Sequence, residues 1–470
     1  MSIQNILLAA KKNYDASRAT FFESIEDINV YVTELTELMS SALDIRAHQV
    51  ALLHPSFYNE FLNIVQFRVP VHSSLSLGPL AKLRAEMVSR DLSRYRLESN
   101  HAFGPSADSR FRYGLLVKQL KLDPETRALF GYLPGRDDRN CAAYVFVLSG
   151  NSDKAFADEV ASTGATVITL PSALSDIVKV LRSYNLDYLF FSNDASAKYS
   201  IFSKLVFFKL AAKMGVGVST IMPVFSPFID DVVAGDYFFG HCRHDEYPAR
   251  ILPGNHPGYS FKSQNANINL SGRRDLRGAD GDIIFFSGSN FWKINGDVIR
   301  VWAEVLNKVP NSKIKLSLFP PHYAAANTGE ILNRISQIFA ESGVSSSRVV
   351  FLEASKTVDD WCSELLSADV YLDSFPYSSL TSIHDALQCG LPTVVMKGPF
   401  LRNCHAPAIL HQVGVPSLAV ASCEDYVKTS VELALNSVVR AATRDSIVTG
   451  SARLSDVTGF FSSFIGAIKS

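Results

Sequence analysis

Apolar residues in the first hundred positions follow the spacing of helices. They recur at every third or fourth position, which places them on one face of a helix; the main ones are Ile6, Leu7, Ala10, Ile25, Ile28, Val32, Leu35, Leu38 and Met39. Four prolines punctuate the region, and no repeat with a 34-residue helical period is visible. We predict an all-α N-terminal domain over residues 1–105.

From about residue 110 the pattern changes to short apolar runs separated by helical stretches. Runs that predict strands cover residues 111–117, 142–150, 165–170, 186–192 and 236–240. Strands that alternate with helices are typical of βαβ units and of a mostly parallel sheet. Residues 251–280 are rich in glycine, proline and polar residues, which indicates a domain boundary. We predict a first Rossmann-like lobe over residues 106–255.

A second α/β series follows this boundary. Predicted strands cover residues 282–288, 312–319, 348–353, 370–376 and 392–396, and amphipathic helices lie between them. The fold class is therefore α/β, with two tandem Rossmann-like domains after the all-α region. We place the second lobe at residues 256–450 and a terminal helix at residues 451–470. In such sheets, ligands bind at the carboxyl ends of the strands.

Charge and composition exclude several classes of protein. The 470 residues include 45 Lys and Arg against 46 Asp and Glu, a net charge of −1, which argues against a constitutive nucleic-acid partner. The apolar run at the N-terminus is too short for a signal peptide, and no stretch reaches the ~18 apolar residues of a membrane span. The six cysteines show no CxxC or metal-finger spacing, as expected of reduced thiols in a cytoplasmic protein.

The first candidate binding segment covers residues 285–295. A predicted strand runs into Ser287, and Asn290 and Lys293 follow within six residues. Small residues allow a ligand to approach the backbone, and a lysine neutralises a phosphate. The alternative is an ordinary loop between strand and helix with a surface lysine.

The second candidate segment covers residues 372–390. Hydroxyl side chains follow its strand and precede a short helix, at Ser378, Ser379, Thr381 and Ser382. The free N–H groups and positive dipole end of a helix favour a diphosphate, and Asp385 lies one turn further on, where it can accept from ribose hydroxyls. The alternative is simple N-capping by Ser379 or Thr381.

The third candidate segment covers residues 396–407. Lys397, Arg402 and His405 follow the next strand and form a second predicted positive cluster, suited to an anionic ligand. The alternative is a solvated loop. Three such segments at successive strand ends indicate an anion-binding site more specifically than any one segment does.

The last two segments resemble the C-terminal catalytic half of the O-GlcNAc transferase family, which includes the bacterial protein N-glucosyltransferases. The stretch from residue 285 to residue 312 is similar to the segment with which the nucleotide-binding region of that family begins. The resemblance implies a metal-independent, inverting enzyme of the GT-B type. It also implies that Asn290 contacts the sugar nucleotide, that Lys293 binds the diphosphate, that Thr381 and Ser382 form the phosphate turn, and that Asp385 binds the ribose.

The first lobe departs further from the family pattern. Asp123-Pro124 stands where the family usually has His-Pro, which makes Asp123 a candidate base or acceptor-positioning residue. Pro124 also fits an ordinary helix start. The helical N-terminal region looks like the compact all-α domain of the bacterial N-glucosyltransferases. The apolar segment 460–468 is expected to pack back on the first lobe, as this fold often does.

The predicted function is transfer of a sugar from a UDP-sugar, with glucose or N-acetylglucosamine as the first candidates, to a protein side chain. No cofactor is expected besides the donor. Two alternatives stay open. One is a glycosyltransferase that acts on a polysaccharide or glycolipid, and the other is a nucleotide-sugar epimerase or a silent sugar-nucleotide-binding protein.

Overall fold

The structure is a computed structural model that describes residues 5–6, 8–12, 21–44, 56–65, 70–104, 109–121, 126–133, 140–148, 152–196, 198–254, 260, 281–318 and 328–470. Its N-terminal region contains the helices α1 (Ile25–Leu43), α2 (Phe57–Ile64) and α3 (Gly78–Ser93). Ser24 caps α1 by accepting from the Asp27 N–H. The apolar face predicted for α1 is buried, with Leu35 and Met39 fully enclosed.

The first lobe is built on a seven-stranded parallel sheet. Its order is β3-β2-β1-β4-β5-β6-β7. The strands are β1 (Phe111–Val117), β2 (Cys141–Val147), β3 (Thr166–Thr169), β4 (Tyr188–Phe191), β5 (Lys213–Gly217), β6 (Asp231–Val233) and β7 (Arg250–Leu252). The helices are α4 (Lys154–Ala161), α5 (Leu174–Ser183), α6 (Ile201–Leu205) and α7 (Asp236–His241).

The strand predicted at residues 236–240 is wrong, because this segment is helix α7. The Phe239 N–H donates to the Gly235 carbonyl, a helical bond at the first turn. Gly235 precedes the helix at a φ of 84°, a left-handed conformation that glycine adopts readily. The apolar run that suggested a strand has one fully buried member, Phe238.

The second lobe is built on a six-stranded parallel sheet of order β10-β9-β8-β11-β12-β13. Its strands are β8 (Ile283–Ser287), β9 (Ser312–Leu316), β10 (Val349–Phe351), β11 (Val370–Leu372), β12 (Thr393–Met396) and β13 (Ala419–Val420). Its helices are α8 (Gly296–Lys308), α9 (Thr328–Glu341), α10 (Val358–Leu366), α11 (Thr381–Gln388), α12 (His405–Val413), α13 (Cys423–Leu435) and α14 (Ser437–Ser451).

Strand order reverses between β8 and β11. The chain adds β9 and β10 on one side of β8, and then returns to add β11 to β13 on the other. At such a switch point the crossover connections leave in opposite directions, and a crevice forms at the carboxyl edge between the loops that follow β8 and β11. The first two predicted segments therefore meet at this crevice.

The last helix, α15 (Val457–Lys469), lies on the first lobe. Its aromatic face packs against the first sheet through rings whose centroids lie 5.1–6.2 Å apart. These rings are Phe460, Phe461 and Phe464 of α15, and Tyr113, Tyr132 and Phe190 of the lobe. The boundary at residues 255 and 256 falls among residues outside the description and stays a prediction.

Candidate functional site

The loop after β8 is held by two aromatic side chains of the second lobe. The Gly288 N–H donates to the Tyr371 hydroxyl over 3.0 Å. A Cβ at Gly288 would overlap the ring of Trp361, so the loop requires glycine here. The Trp361 Nε1–H in turn donates to Asp385 over 3.1 Å. The side chain of Asp385, which is predicted to bind the ribose, is thus already oriented by a neighbouring helix.

Lys293 lies where the loops of β8 and β11 meet. Its Nζ donates to the Ser378 carbonyl over 3.2 Å and to the Ser379 Oγ over 3.4 Å. The ammonium also lies 4.5 Å from the centroid of the Tyr377 ring. Burial lowers the pKa of Lys293 to about 8, and the charge of Asp373 opposes this shift. The lysine therefore stays mostly protonated at neutral pH, in a desolvated place.

Asp373 is the counter-charge of Lys293, and the sequence reasoning did not select it. Its carboxylate is fully buried and accepts from the Ser379 N–H over 3.0 Å and from the Ser289 Oγ over 3.4 Å. Burial raises the pKa of Asp373, while Lys293 and these donors oppose the rise. The sequence signal that could have identified Asp373 is its position as an acidic residue directly after a buried strand.

Helix α11 begins beside Lys293 and Asp373 without a side-chain cap. Its N-cap residue is Leu380, and the Ser379 N–H is directed to Asp373. The alternative of N-capping by Ser379 or Thr381 is therefore wrong. Thr381 and Ser382, both half-buried, form the first turn. An uncapped helix start carries N–H donors and a partial positive charge suited to an anion.

The other predicted hydroxyl and amide residues before α11 are either enclosed in the lobe or hold the loops in place. Ser287 is fully buried at the end of β8, so its side chain does not line the crevice. The Asn290 Oδ1 accepts from the Trp292 N–H over 3.2 Å and caps the short turn that carries Lys293. The Ser378 Oγ accepts from the Ala406 N–H over 3.2 Å. This bond joins the second predicted segment to the third.

The third segment does not form the predicted positive cluster. His405 is buried, its Nε2 lies 3.0 Å from the Val218 carbonyl of the first lobe, and burial lowers its pKa to about 3. Arg402 is buried in an ion pair with Glu246 at 3.2 Å. Lys397 is exposed. His405 and Arg402 thus join the second lobe to the first.

Two further findings concern only the described residues. No group of three or more His, Cys, Asp or Glu side chains is arranged there to hold a metal ion. No helix among these residues combines the length and the apolar character that crossing a bilayer requires. Asp123 lies outside the described residues, so its predicted role stays a prediction.

Comparisons with known proteins identify a matching family and related sequences. Residues 256–459 match the model of glycosyl transferase family 41. The chain is 30% identical over 156 residues to a probable UDP-N-acetylglucosamine–peptide N-acetylglucosaminyltransferase SPINDLY of Arabidopsis thaliana, a match that covers 33% of this chain and 16% of the relative. It is 29% identical over 167 residues to the UDP-N-acetylglucosamine–peptide N-acetylglucosaminyltransferase of Caenorhabditis elegans, covering 36% and 14% of the two chains.

A solved structure extends the likeness to the whole fold. An O-GlcNAc transferase mutant from Thermobaculum terrenum superposes with a TM-score of 0.70 at 16% identity, over 99% of this chain and 97% of the other. This likeness shows a shared fold. The predicted fold class and the predicted resemblance to the O-GlcNAc transferase-like glycosyltransferases are both confirmed, and the family match lies in the second lobe.

Proposed function

We propose, on the premise that residues 256–459 are a glycosyltransferase lobe of family 41, that the protein transfers a sugar from a UDP-sugar to a protein side chain. The observation that carries the proposal is Lys293, desolvated beside the uncapped start of α11 at the switch point. Relatives named as peptide N-acetylglucosaminyltransferases support a protein acceptor, although the matched stretch spans only 14–16% of their length.

The diphosphate of the donor would lie between the Lys293 ammonium and the first turn of α11. As the bond from the anomeric carbon to the diphosphate oxygen breaks, negative charge grows on the departing UDP. A buried ammonium and oriented N–H donors stabilise that charge more strongly than water does, because they need no reorganisation. These groups would do this without a metal ion.

The acceptor would attack the anomeric carbon from the face opposite the departing UDP, which inverts its configuration. The new bond forms from the acceptor nitrogen or oxygen to that carbon, and the acceptor loses one proton. We assign the proton to Asp123 as general base. Asp385, held by Trp361, would accept from the ribose, and UDP-glucose or UDP-N-acetylglucosamine would be the donor.

Replacement of the lysine tests the donor site. Lys293→Ala should lose most of its turnover and weaken UDP binding by about a hundredfold, because the charge facing the diphosphate is gone. Isothermal titration calorimetry with UDP measures the loss. Lys428→Ala, which removes an exposed lysine of the same lobe, is the matched control. Normal turnover by Lys293→Ala would overturn the assignment.

The acceptor class needs its own experiment. The protein should be incubated with each UDP-sugar and with protein, polysaccharide or glycolipid acceptors, and the products analysed by mass spectrometry. A hexose or N-acetylhexosamine mass added to a peptide supports the proposal. If only a polysaccharide or glycolipid is modified, the protein is a glycosyltransferase of the second acceptor class. Conversion of the UDP-sugar without an acceptor would identify an epimerase.

A further inference from the structure

A short stretch of the N-terminal helical domain reaches the crevice of the second lobe. The turn Pro70–His72 and the residues that lead into α3 are anchored by the buried pair of Arg402 and Glu246. Arg402 donates to the Ser73 carbonyl over 3.4 Å and also to the Leu75 carbonyl. The three parts of the chain meet at this junction, and residues 70–77 are thereby held in one position.

Glu246 completes the anchor from the first lobe. Its carboxylate accepts from the Leu77 N–H and from the Ser76 Oγ, the latter over 3.2 Å. A buried ion pair that also bonds to several groups of a neighbouring segment holds that segment in a defined geometry. The anchor therefore fixes the side chain of His72, one residue before the stretch that it binds.

His72 packs against the aromatic ring beneath Lys293. The imidazole is 7% exposed, and its centroid lies 5.6 Å from the Tyr377 ring at an interplanar angle of 77°. His405 meets the same ring from its own helix at 5.8 Å and 89°. The Lys293 ammonium lies over that ring. Tyr377 is thus confined by two imidazoles.

The imidazoles beside Tyr377 are neutral, whereas Lys293 is mostly protonated. Burial, followed by the charge of Lys293, lowers the pKa of each imidazole, His72 and His405, to about 3, so both are neutral. Arg402 is balanced by Glu246, and Asp373 faces the ammonium. The two neutral imidazoles line the ring beneath the lysine and do not compete with it for the phosphate.

We propose that His72 is a positioning residue of the donor site, which acts through Tyr377 to hold Lys293, and that the N-terminal helical domain is therefore part of that site. The inference rests on the proposed function, because it assumes that Lys293 binds a diphosphate. The ring of residue 72 matters here, since edge-to-face aromatic pairs prefer a defined orientation.

Two substitutions distinguish the effect of the aromatic ring at position 72 from the effect of the volume that the side chain fills. His72→Phe keeps an aromatic ring, whereas His72→Leu keeps an apolar side chain without one. UDP affinity should be measured by calorimetry from about pH 6.5 to 9.5. We expect His72→Phe to bind UDP as the unsubstituted protein does. His72→Leu should bind about tenfold more weakly, with the alkaline loss of affinity moved to higher pH, because water reaches the lysine.

Controls distinguish a positioning role from a structural one. His101→Ala removes an exposed histidine outside the crevice and should change neither UDP affinity nor melting temperature. If His72→Leu does not fold, Tyr377→Leu with Tyr377→Phe as its ring-keeping control takes its place. A lower melting temperature in His72→Leu with unchanged UDP affinity and pH dependence would overturn the inference, as would an equal loss in His72→Phe.

The same titrations separate this inference from the proposed function. If Lys293→Ala loses UDP binding and His72→Leu keeps it, the donor site stands and only the role of His72 fails. If Lys293→Ala binds UDP normally, the donor site itself is wrong.

Discussion

The two lobes share one architecture but use the polar residues at their strand ends differently. In the first lobe, the Asn193 Oδ1 accepts from the Lys118 N–H over 2.8 Å, and the Asp194 Oδ1 accepts from the Ser196 N–H over 2.9 Å and, at 3.4 Å, from the N–H of residue 221. In the second lobe, the corresponding edge carries the Lys293 ammonium beside an uncapped helix. At the carboxyl edge of the first sheet these polar groups bond to the protein backbone, whereas the same edge of the second sheet presents groups suited to an anion.

The difference lies in what the carboxylates bind. Asp194 bonds to backbone of its own lobe and its charge acts on Arg84 of the N-terminal region, whereas Asp373 faces the Lys293 ammonium beside helix α11. A carboxylate that bonds to backbone contributes to stability, and one that faces a buried lysine also sets the charge of that lysine. Substitutions at the two positions should therefore have different effects.

Asp194→Ala should produce the larger change in stability. Its loss leaves the partly buried N–H groups of Ser196 and Ile221 without this acceptor, which costs about 1–3 kcal/mol in the free energy of unfolding. Urea denaturation measures this loss, and calorimetry should find unchanged UDP affinity. Weaker UDP binding in a fully folded Asp194→Ala protein would show that the first edge is also part of the donor site.

Asp373→Asn should act mainly on binding. Asp373 raises the pKa of Lys293, so its neutralisation leaves burial unopposed and moves that pKa below about 8. The lysine then loses its proton near neutral pH, and UDP affinity at pH 7.5 should fall by about tenfold. Titrations at pH 6.5 are the control, because protonation there should restore much of the affinity. Equal losses at both pH values would contradict this account.

The smallest effect is expected in the unsubstituted protein as the pH rises. Binding of a diphosphate favours the charged form of Lys293, so affinity should be greatest below the lysine pKa of about 8 and decline above it. The decline approaches tenfold per pH unit and is about fivefold between pH 8 and 9. Calorimetry over this range detects it, and Lys293→Ala should show no inflection near pH 8.

The sequence allowed a prediction of which strand ends carry the candidate residues that follow one another along the chain. Lys293 and Thr381 could be predicted because apolar strands precede them and parallel strands share a carboxyl edge. The placement of His72 could not, since the stretch after it is anchored by Arg402, more than 300 residues away. Arg402 was misjudged for the same reason: its partner Glu246 lies in the other lobe.

The return of α15 to the first lobe has a consequence for the order in which the protein folds during synthesis. Phe460 and Phe464 complete the aromatic core around Tyr132, on a sheet whose own strands end more than 200 residues earlier. A nascent chain that has released the first lobe from the ribosome still exposes that apolar surface. The first lobe reaches its final packing only after residues 457–469 have been translated.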